Sequence, residues 1–293
     1  MVCKRLFLIS VFSLSINFSF GEINFFEIEP ETILYKSIDS VDLNLYVYRP
    51  ENFDASKTYN CIVFFHGGAW NTRNIKQFQR QSIYFASRGM IAFIVEYRVT
   101  SIHDSTPFQS VEDAKSAIRY IRSNSKSLSL NPEKIAVSGG SAGGHLAAAS
   151  ANISKYDNTD EDLNISSKPN LLILLNPILD TTPDAWGYGS FMRRIGNKIT
   201  DNPYEISPIH HISKKTPPTI ILTGTNDNLV PVIKINEYKN IMTSNNVRCD
   251  VVFYKDAEHG FFNRGEDFMD TVYKSDLFLK SNGYLSGDPT IKD

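Results

Sequence analysis

Residues 134–144, Lys-Ile-Ala-Val-Ser-Gly-Gly-Ser-Ala-Gly-Gly, run from an apolar stretch straight into a serine with glycines two positions to either side. That spacing marks a tight corner between a strand and a helix, where a Cβ at either glycine would collide with neighbouring backbone and the serine stands at the tip. Glycine and serine also fill ordinary loops, so the flanks carry the reading. Ile135-Ala136-Val137 before the corner is strand-like and Leu146-Ala147-Ala148-Ala149 after it is helix-forming. Ser141 is therefore the candidate nucleophile.

Outward from this corner the chain reads as an α/β domain. Thr32 to Lys36 and Asp42 to Tyr48 alternate apolar with polar residues around an Asp39-Ser40 turn, the pattern of an opening antiparallel hairpin. Short, continuously apolar runs follow at Cys61–Phe65, Ile91–Glu96, Lys134–Ser138, Leu171–Leu175, Thr219–Thr223 and Val251–Tyr254. Such runs suit parallel strands buried on both faces, with crossover helices in the gaps. Val111, Ala114, Ala117, Ile118 and Ile121 fall on one helical face, so the spacing predicts a helix over Val111–Arg122. Val232–Met242 and Phe268–Leu279 read the same way. The stretch from about 181 to 212, rich in proline, glycine, aromatics and charge, is expected to form a small lid. Neither an internal repeat nor an interdomain linker interrupts the chain.

A serine hydroxyl needs a base, a group that orients the base, and donors for a developing oxyanion. The strand ending at Thr223 leads into Gly224-Thr225-Asn226-Asp227, and the one ending at Tyr254 leads to Glu258-His259-Gly260. Both loops lie beyond strand C-terminal ends, where an open parallel sheet gathers its ligand-binding groups. His259 suits proton shuttling near neutrality, and Asp227 is placed to fix its tautomer. Asp180, which also follows a strand-like run, is the alternative acid. In His66-Gly67-Gly68-Ala69-Trp70 two glycines free backbone amides to face inward. With the amide of Ala142, those of Gly67 and Gly68 are expected to form the oxyanion hole.

The segments HGGAW (66–70), GGSAGGH (139–145), GTNDNLVPV (224–232) and EHGFF (258–262) together resemble the α/β-hydrolase superfamily. More narrowly they resemble the esterase group of hormone-sensitive-lipase-like, acetyl xylan esterase and feruloyl-esterase-like enzymes. The resemblance implies the α/β-hydrolase fold, a mostly parallel sheet with helices on both faces, and a serine acyl-enzyme mechanism without metal or cofactor. It casts Ser141, Asp227 and His259 as the triad. Ala69 and Trp70 stand where many lipase-like members carry a third glycine, which resembles the HGGxW form of feruloyl-esterase-like and arylformamidase-like proteins. Glucuronoyl esterases of similar fold carry arginine at the position of Ala142, so a uronic acid methyl ester is not expected.

Other residues near these motifs read as structural. His145 lies one turn after Ser141 on the buried helix, and His66 braces the glycine loop. His210-His211 has no partner set for a metal. Glu96-Tyr97-Arg98 reads either as a buried ion pair under the crevice or as a solvated strand end. Trp70, Trp186, Tyr188 and Phe191 are candidates for a flat substrate pocket, with lid or core packing as the alternative.

The N-terminus differs from the rest. Lys4-Arg5 precede an apolar run from Leu6 to Phe18, and Ser19-Phe20-Gly21 ends it with small residues, the pattern of a signal peptide over 1–21. The run is shorter than the roughly 20 residues of a membrane span. Residues 22–293 then form the hydrolase domain, with net charge -4 and no basic patch for nucleic acid. Cys61 and Cys249 each adjoin a strand-like run and read as buried thiols or as a disulfide formed after export. The expected protein is a periplasmic or secreted carboxylesterase taking a small-molecule or glycan ester, with acetyl as the acyl group. Amidase, peptidase or arylformamidase-like activity, and a non-catalytic binder on the same scaffold, are the alternatives.

Overall fold

The computed structural model of the protein describes residues 28–291 apart from 39, 186, 187, 196, 200 and 201. The signal-peptide segment 1–21 lies outside the described residues. Eight strands, β1 Glu31–Ile38, β2 Val41–Tyr48, β3 Tyr59–Phe65, β4 Ile91–Val95, β5 Leu130–Gly140, β6 Leu171–Leu175, β7 Thr219–Gly224 and β8 Cys249–Tyr254, form one sheet. Their order is β1-β2-β4-β3-β5-β6-β7-β8. β1 and β2 form the expected antiparallel hairpin, β2 pairs antiparallel with β4, and every later pairing is parallel.

Helices α1 Gln79–Ser87, α2 Thr100–His103, α3 Pro107–Ser123, α4 Ala142–Asn152, α5 Tyr188–Arg194, α6 Val232–Ser244 and α7 Gly265–Ser281 complete the chain. Because side chains alternate across a strand, Cys61, Val63 and Phe65 of β3 enter one core with α3, α4 and α6 residues such as Ile118, Leu146 and Tyr238. Ile62 and Phe64 enter the opposite core with Phe85 of α1 and Phe268 and Phe278 of α7. Coverage of both faces explains why β4 and β6 are apolar throughout. The fold is that of an α/β-hydrolase.

α3 starts one turn earlier than its apolar spacing indicates. Thr106 and Gln109 form a reciprocal capping box around Pro107 at the first helical position, a start signal set by hydrogen bonding rather than by periodicity. Cys61 and Cys249 are both free and buried. They sit on β3 and β8, four strand spacings apart in the sheet, or about 19 Å, which removes the disulfide reading. Between β6 and β7 the insertion holds α5 and two 3-10 turns, Pro203–Ile206 and Pro208–His211. No helix among the described residues is long and apolar enough to cross a membrane.

Candidate active site

β5 ends at Gly140 and α4 begins at Ala142, so Ser141 alone makes the turn. Its φ of 55° and ψ of -118° lie outside the regions ordinary side chains favour. The glycines around it are steric requirements. A Cβ on Gly139 would lie 2.3 Å from the Gly143 carbonyl oxygen, one on Gly143 2.0 Å from that of Phe65, and one on Gly140 2.3 Å from the Phe262 ring.

Three loops from β5, β7 and β8 meet at this corner. His259 Nε2 lies 2.8 Å from Ser141 Oγ, and His259 Nδ1 lies 2.8 Å from Asp227 Oδ2. A carboxylate only accepts, so Nδ1–H donates to Asp227 and Nε2 is left to accept the serine proton. Asp227 is buried, and its Oδ1 accepts the amides of Leu229 at 2.8 Å and Val230 at 2.9 Å. Burial pushes its carboxyl pKa upward, but the His259 bond, the His259 charge and these two amides together hold it below the usual range. The arrangement is able to pass the Ser141 proton to an imidazole whose positive charge the carboxylate then stabilises.

Asn176, just past β6, was not singled out by any sequence motif. It is fully buried with φ of 42°. Its Nδ2 donates to Asp227 Oδ2 at 2.5 Å, and its Oδ1 accepts the Gly260 amide at 3.4 Å, so one carboxamide joins the acid and histidine loops. The only sequence signal was the Asn-Pro pair that follows the strand, itself a common turn marker. Asp180, the alternative acid, instead binds Lys234 at 2.9 Å and the amide and hydroxyl of Thr182 at 2.9 and 2.7 Å. These bonds tie the insertion to α6 and leave Asp180 out of the histidine relay.

The glycine loop runs against the nucleophile, since a Cβ on Gly67 would lie 3.5 Å from Ser141 Cβ. Gly68, Ala69 and Trp70 all have positive φ, at 125°, 53° and 53°, and the amides of Asn71 and Thr72 close the curl onto the Gly68 carbonyl. One expected donor is corrected here. The Gly67 amide donates to Gln77 Oε1 at 2.6 Å and so is already occupied. The amides of Gly68 and Ala142 donate to no other group among the described residues.

Trp70 is likewise corrected as a pocket residue. It is fully buried, and its Nε1 donates to His145 Nδ1 at 3.2 Å, while His145 Nε2 donates to the Ile206 carbonyl at 2.6 Å. One imidazole thus fixes the glycine loop, α4 and the insertion together. Burial drives the His145 pKa down to about 4 against the pull of the Ile206 carbonyl. His66 stacks on Tyr97 with centroids 4.3 Å apart and donates from Nδ1 to the Gly67 carbonyl at 2.8 Å. Burial also lowers its pKa to about 4. Trp186 lies outside the described residues, and Tyr188 opens α5.

Glu96 and Arg98 do form ion pairs, but not with each other, and only that of Arg98 is buried. Arg98 clasps Asp113 of α3 through two bonds of 2.8 Å, joined by Lys36 at 2.7 Å, while Glu96 pairs with Arg73 below the glycine loop. His211 donates from Nε2 to the Tyr204 carbonyl at 2.8 Å. No group of three or more metal-binding side chains occurs among the described residues.

With this geometry established, comparisons place the chain among known proteins. Residues 45–242 match the family described as BD-FAE. Thermogutta terrifontis esterase 2, in a structure phosphonylated by sarin, is 38% identical, with a TM-score of 0.84 over 88% of this chain and 97% of that one. The butyrate-bound structure of the same esterase is 39% identical over 89% of this chain and 96% of that one, with a TM-score of 0.82. An acetylxylan esterase of Xylanibacter ruminicola is 26% identical over 220 residues, 73% of this chain. The match covers 42% of that protein, so the chain spans less than half the length of this curated relative.

Proposed function

The chain belongs to the BD-FAE family of α/β-hydrolases, and from that premise we propose that it is a serine carboxylesterase acting through Ser141, His259 and Asp227. The observation that carries the reading is the relay of two 2.8 Å bonds from Ser141 Oγ through the His259 ring to Asp227. Ser141 Oγ attacks the ester carbonyl as its proton passes to His259 Nε2. The new oxyanion accepts the amides of Gly68 and Ala142, each such donor being worth about 3 to 4 kcal/mol. Collapse expels the alcohol, which takes the proton from His259 and leaves an acyl-Ser141 ester. Water, deprotonated by the same nitrogen, then releases the acid.

The proposed substrate is a short-chain acyl ester, with acetyl first, of a carbohydrate or related natural product. An acetylxylan esterase among the relatives supports the alcohol, and a neighbour's structure bound to butyrate supports a short acyl chain. Export is proposed from the basic start, apolar run and small residues of the first 21 positions.

The test pairs a fluorophosphonate probe with product analysis on acetylated polysaccharide. Ser141 should be labelled and acetate released. Ser141→Ala should abolish labelling and lower turnover on the order of 10⁶-fold. A parent enzyme that the probe leaves untouched would turn the reading toward a binding protein.

A further inference from the structure

Two glycines stand next to groups that the proposed reaction uses, Gly67 before the Gly68 amide and Gly260 after His259, and each is held at both ends of its backbone. The Gly67 amide donates to Gln77 Oε1 at 2.6 Å while its carbonyl accepts from His66 Nδ1 at 2.8 Å. The Gly260 amide donates to Asn176 Oδ1 at 3.4 Å while its carbonyl accepts from Asn263 Nδ2 at 2.8 Å. A residue without a Cβ leaves its dihedrals to such bonds.

Gln77 and Asn263 are also bonded to each other, Gln77 Nε2 donating to Asn263 Oδ1 at 3.2 Å. Three carboxamides thus form one chain, from the Gly67 amide through Gln77, Asn263, the Gly260 peptide groups and Asn176 to Asp227. It joins the loop after β3 to the loop after β8, four strand spacings away in the sheet. A carboxamide suits each link, because it accepts on one atom, donates from the other and carries no charge to compete with an oxyanion or an imidazolium.

The neighbours of the two amides anchor them. Phe78 and Phe262 are buried and stack with centroids 5.9 Å apart and planes 7° apart. The Phe262 ring also lies 2.3 Å from where a Cβ on Gly140 would stand, so this pair packs against the nucleophile's own corner. Gln77 is half-buried and Asn263 exposed, so their bond competes with water and adds little to stability. What it fixes is direction. The Gly68 N–H shares one planar peptide with the Gly67 carbonyl and points the opposite way, so a Gly67 that turns carries the Gly68 donor with it.

Resting on the serine-esterase reading, we propose that Gln77 is a positioning residue: bridged by Asn263 to the histidine loop, it holds the Gly68 amide where the ester oxygen acquires its charge. That interaction is made in the transition state, so its loss falls on kcat and not on KM. Gln77→Met keeps the length of the side chain and removes both bonds. On phenyl acetate it should lower kcat about 10- to 100-fold, part of the roughly 10²- to 10³-fold cost of losing a whole oxyanion donor. KM should stay within about 2-fold and Tm within about 4 °C of the parent. Affinity for a trifluoromethyl ketone, whose adduct with Ser141 carries the same oxyanion, should fall by the factor lost from kcat/KM. Asn263→Ala breaks the bridge but spares the Gly67 bond, and should show the same pattern at smaller size. In the double variant the two losses should combine to less than their product.

An unchanged kcat in Gln77→Met overturns the assignment, as does ketone affinity equal to the parent's. A rise in KM with a large fall in Tm makes Gln77 a brace for the fold and overturns it too. Losses that multiply in full in the double variant overturn the bridge through Asn263. Should Gln77→Met not fold, the kcat and ketone affinity of Asn263→Ala decide alone. Each of these results leaves the serine-esterase reading intact so long as fluorophosphonate labels Ser141 of the parent, whereas an unlabelled parent removes both together.

Discussion

Asp227 Oδ2 serves two donors, His259 and Asn176, while its Oδ1 serves two backbone amides. That fourfold satisfaction keeps the carboxylate charged and aimed. Asp227→Asn presents an N–H where an acceptor is required and should lower kcat about 10⁴-fold by favouring the wrong imidazole tautomer. Asn176→Ala removes a hydrogen bond to a charged group, worth about 1.5 to 3 kcal/mol, and should lower kcat roughly 10- to 100-fold. Asn176→Gly separates the causes, because glycine tolerates the φ of 42°. A matching kcat loss in both variants assigns the effect to the carboxamide, whereas recovery in the glycine variant assigns it to backbone strain. Ser141, Asp227 and His259 were legible because each sits in a motif just past a strand. Asn176 and Gln77 were not, since an amide acquires its role only from what the fold brings against it. The Gly67 amide shows the same limit: its glycine was legible, its partner ten residues later was not.

At the scale of elements, the turn from β5 through Ser141 into α4 depends on glycines that leave no room for a methyl. Gly143→Ala would drive a carbon to 2.0 Å from the Phe65 carbonyl and 2.6 Å from that of His66. The expected outcome is loss of more than about 4 kcal/mol, the range of severe overpacking and backbone strain, read as failure to recover folded protein or as a large drop in Tm. An ordinary Tm would show that the corner relaxes. β4 and β6 were legible from composition because both of their faces are buried, which leaves no polar residue to blur the run. Helix starts were less so. α3 begins where Thr106 and Gln109 cap it, and α7 begins at Gly265, before the apolar spacing from Phe268 sets in. Trp70 failed as a pocket residue for a related reason: it presents its ring to His145 and the core.

For the whole molecule, the two buried histidines set a pH limit. His66 and His145 have folded pKa values near 4, against 6.5 when free. Between those values the unfolded chain binds protons that the native state refuses, so stability is complete above about pH 6.5 and declines as pH falls toward 4. The loss is on the order of 3 kcal/mol for each ring, a large share of a typical 5 to 15 kcal/mol. Asp227, Asp180 and Asp157, with pKa values held low, lose their contributions as pH falls through the ordinary carboxylate range toward those lowered values. Tm measured at constant ionic strength should therefore fall steadily from pH 7 to 4.5, and His145→Asn should flatten that slope. A Tm unchanged across the interval would refute this account.

The thiols of Cys61 and Cys249 lie on a central and an edge strand, with pKa values raised to about 12 by burial. An alkylating reagent therefore finds neither of these two thiols reactive until the sheet parts. The molecule thus carries two built-in clocks, one timing the fraying of its rim and the other the opening of its middle.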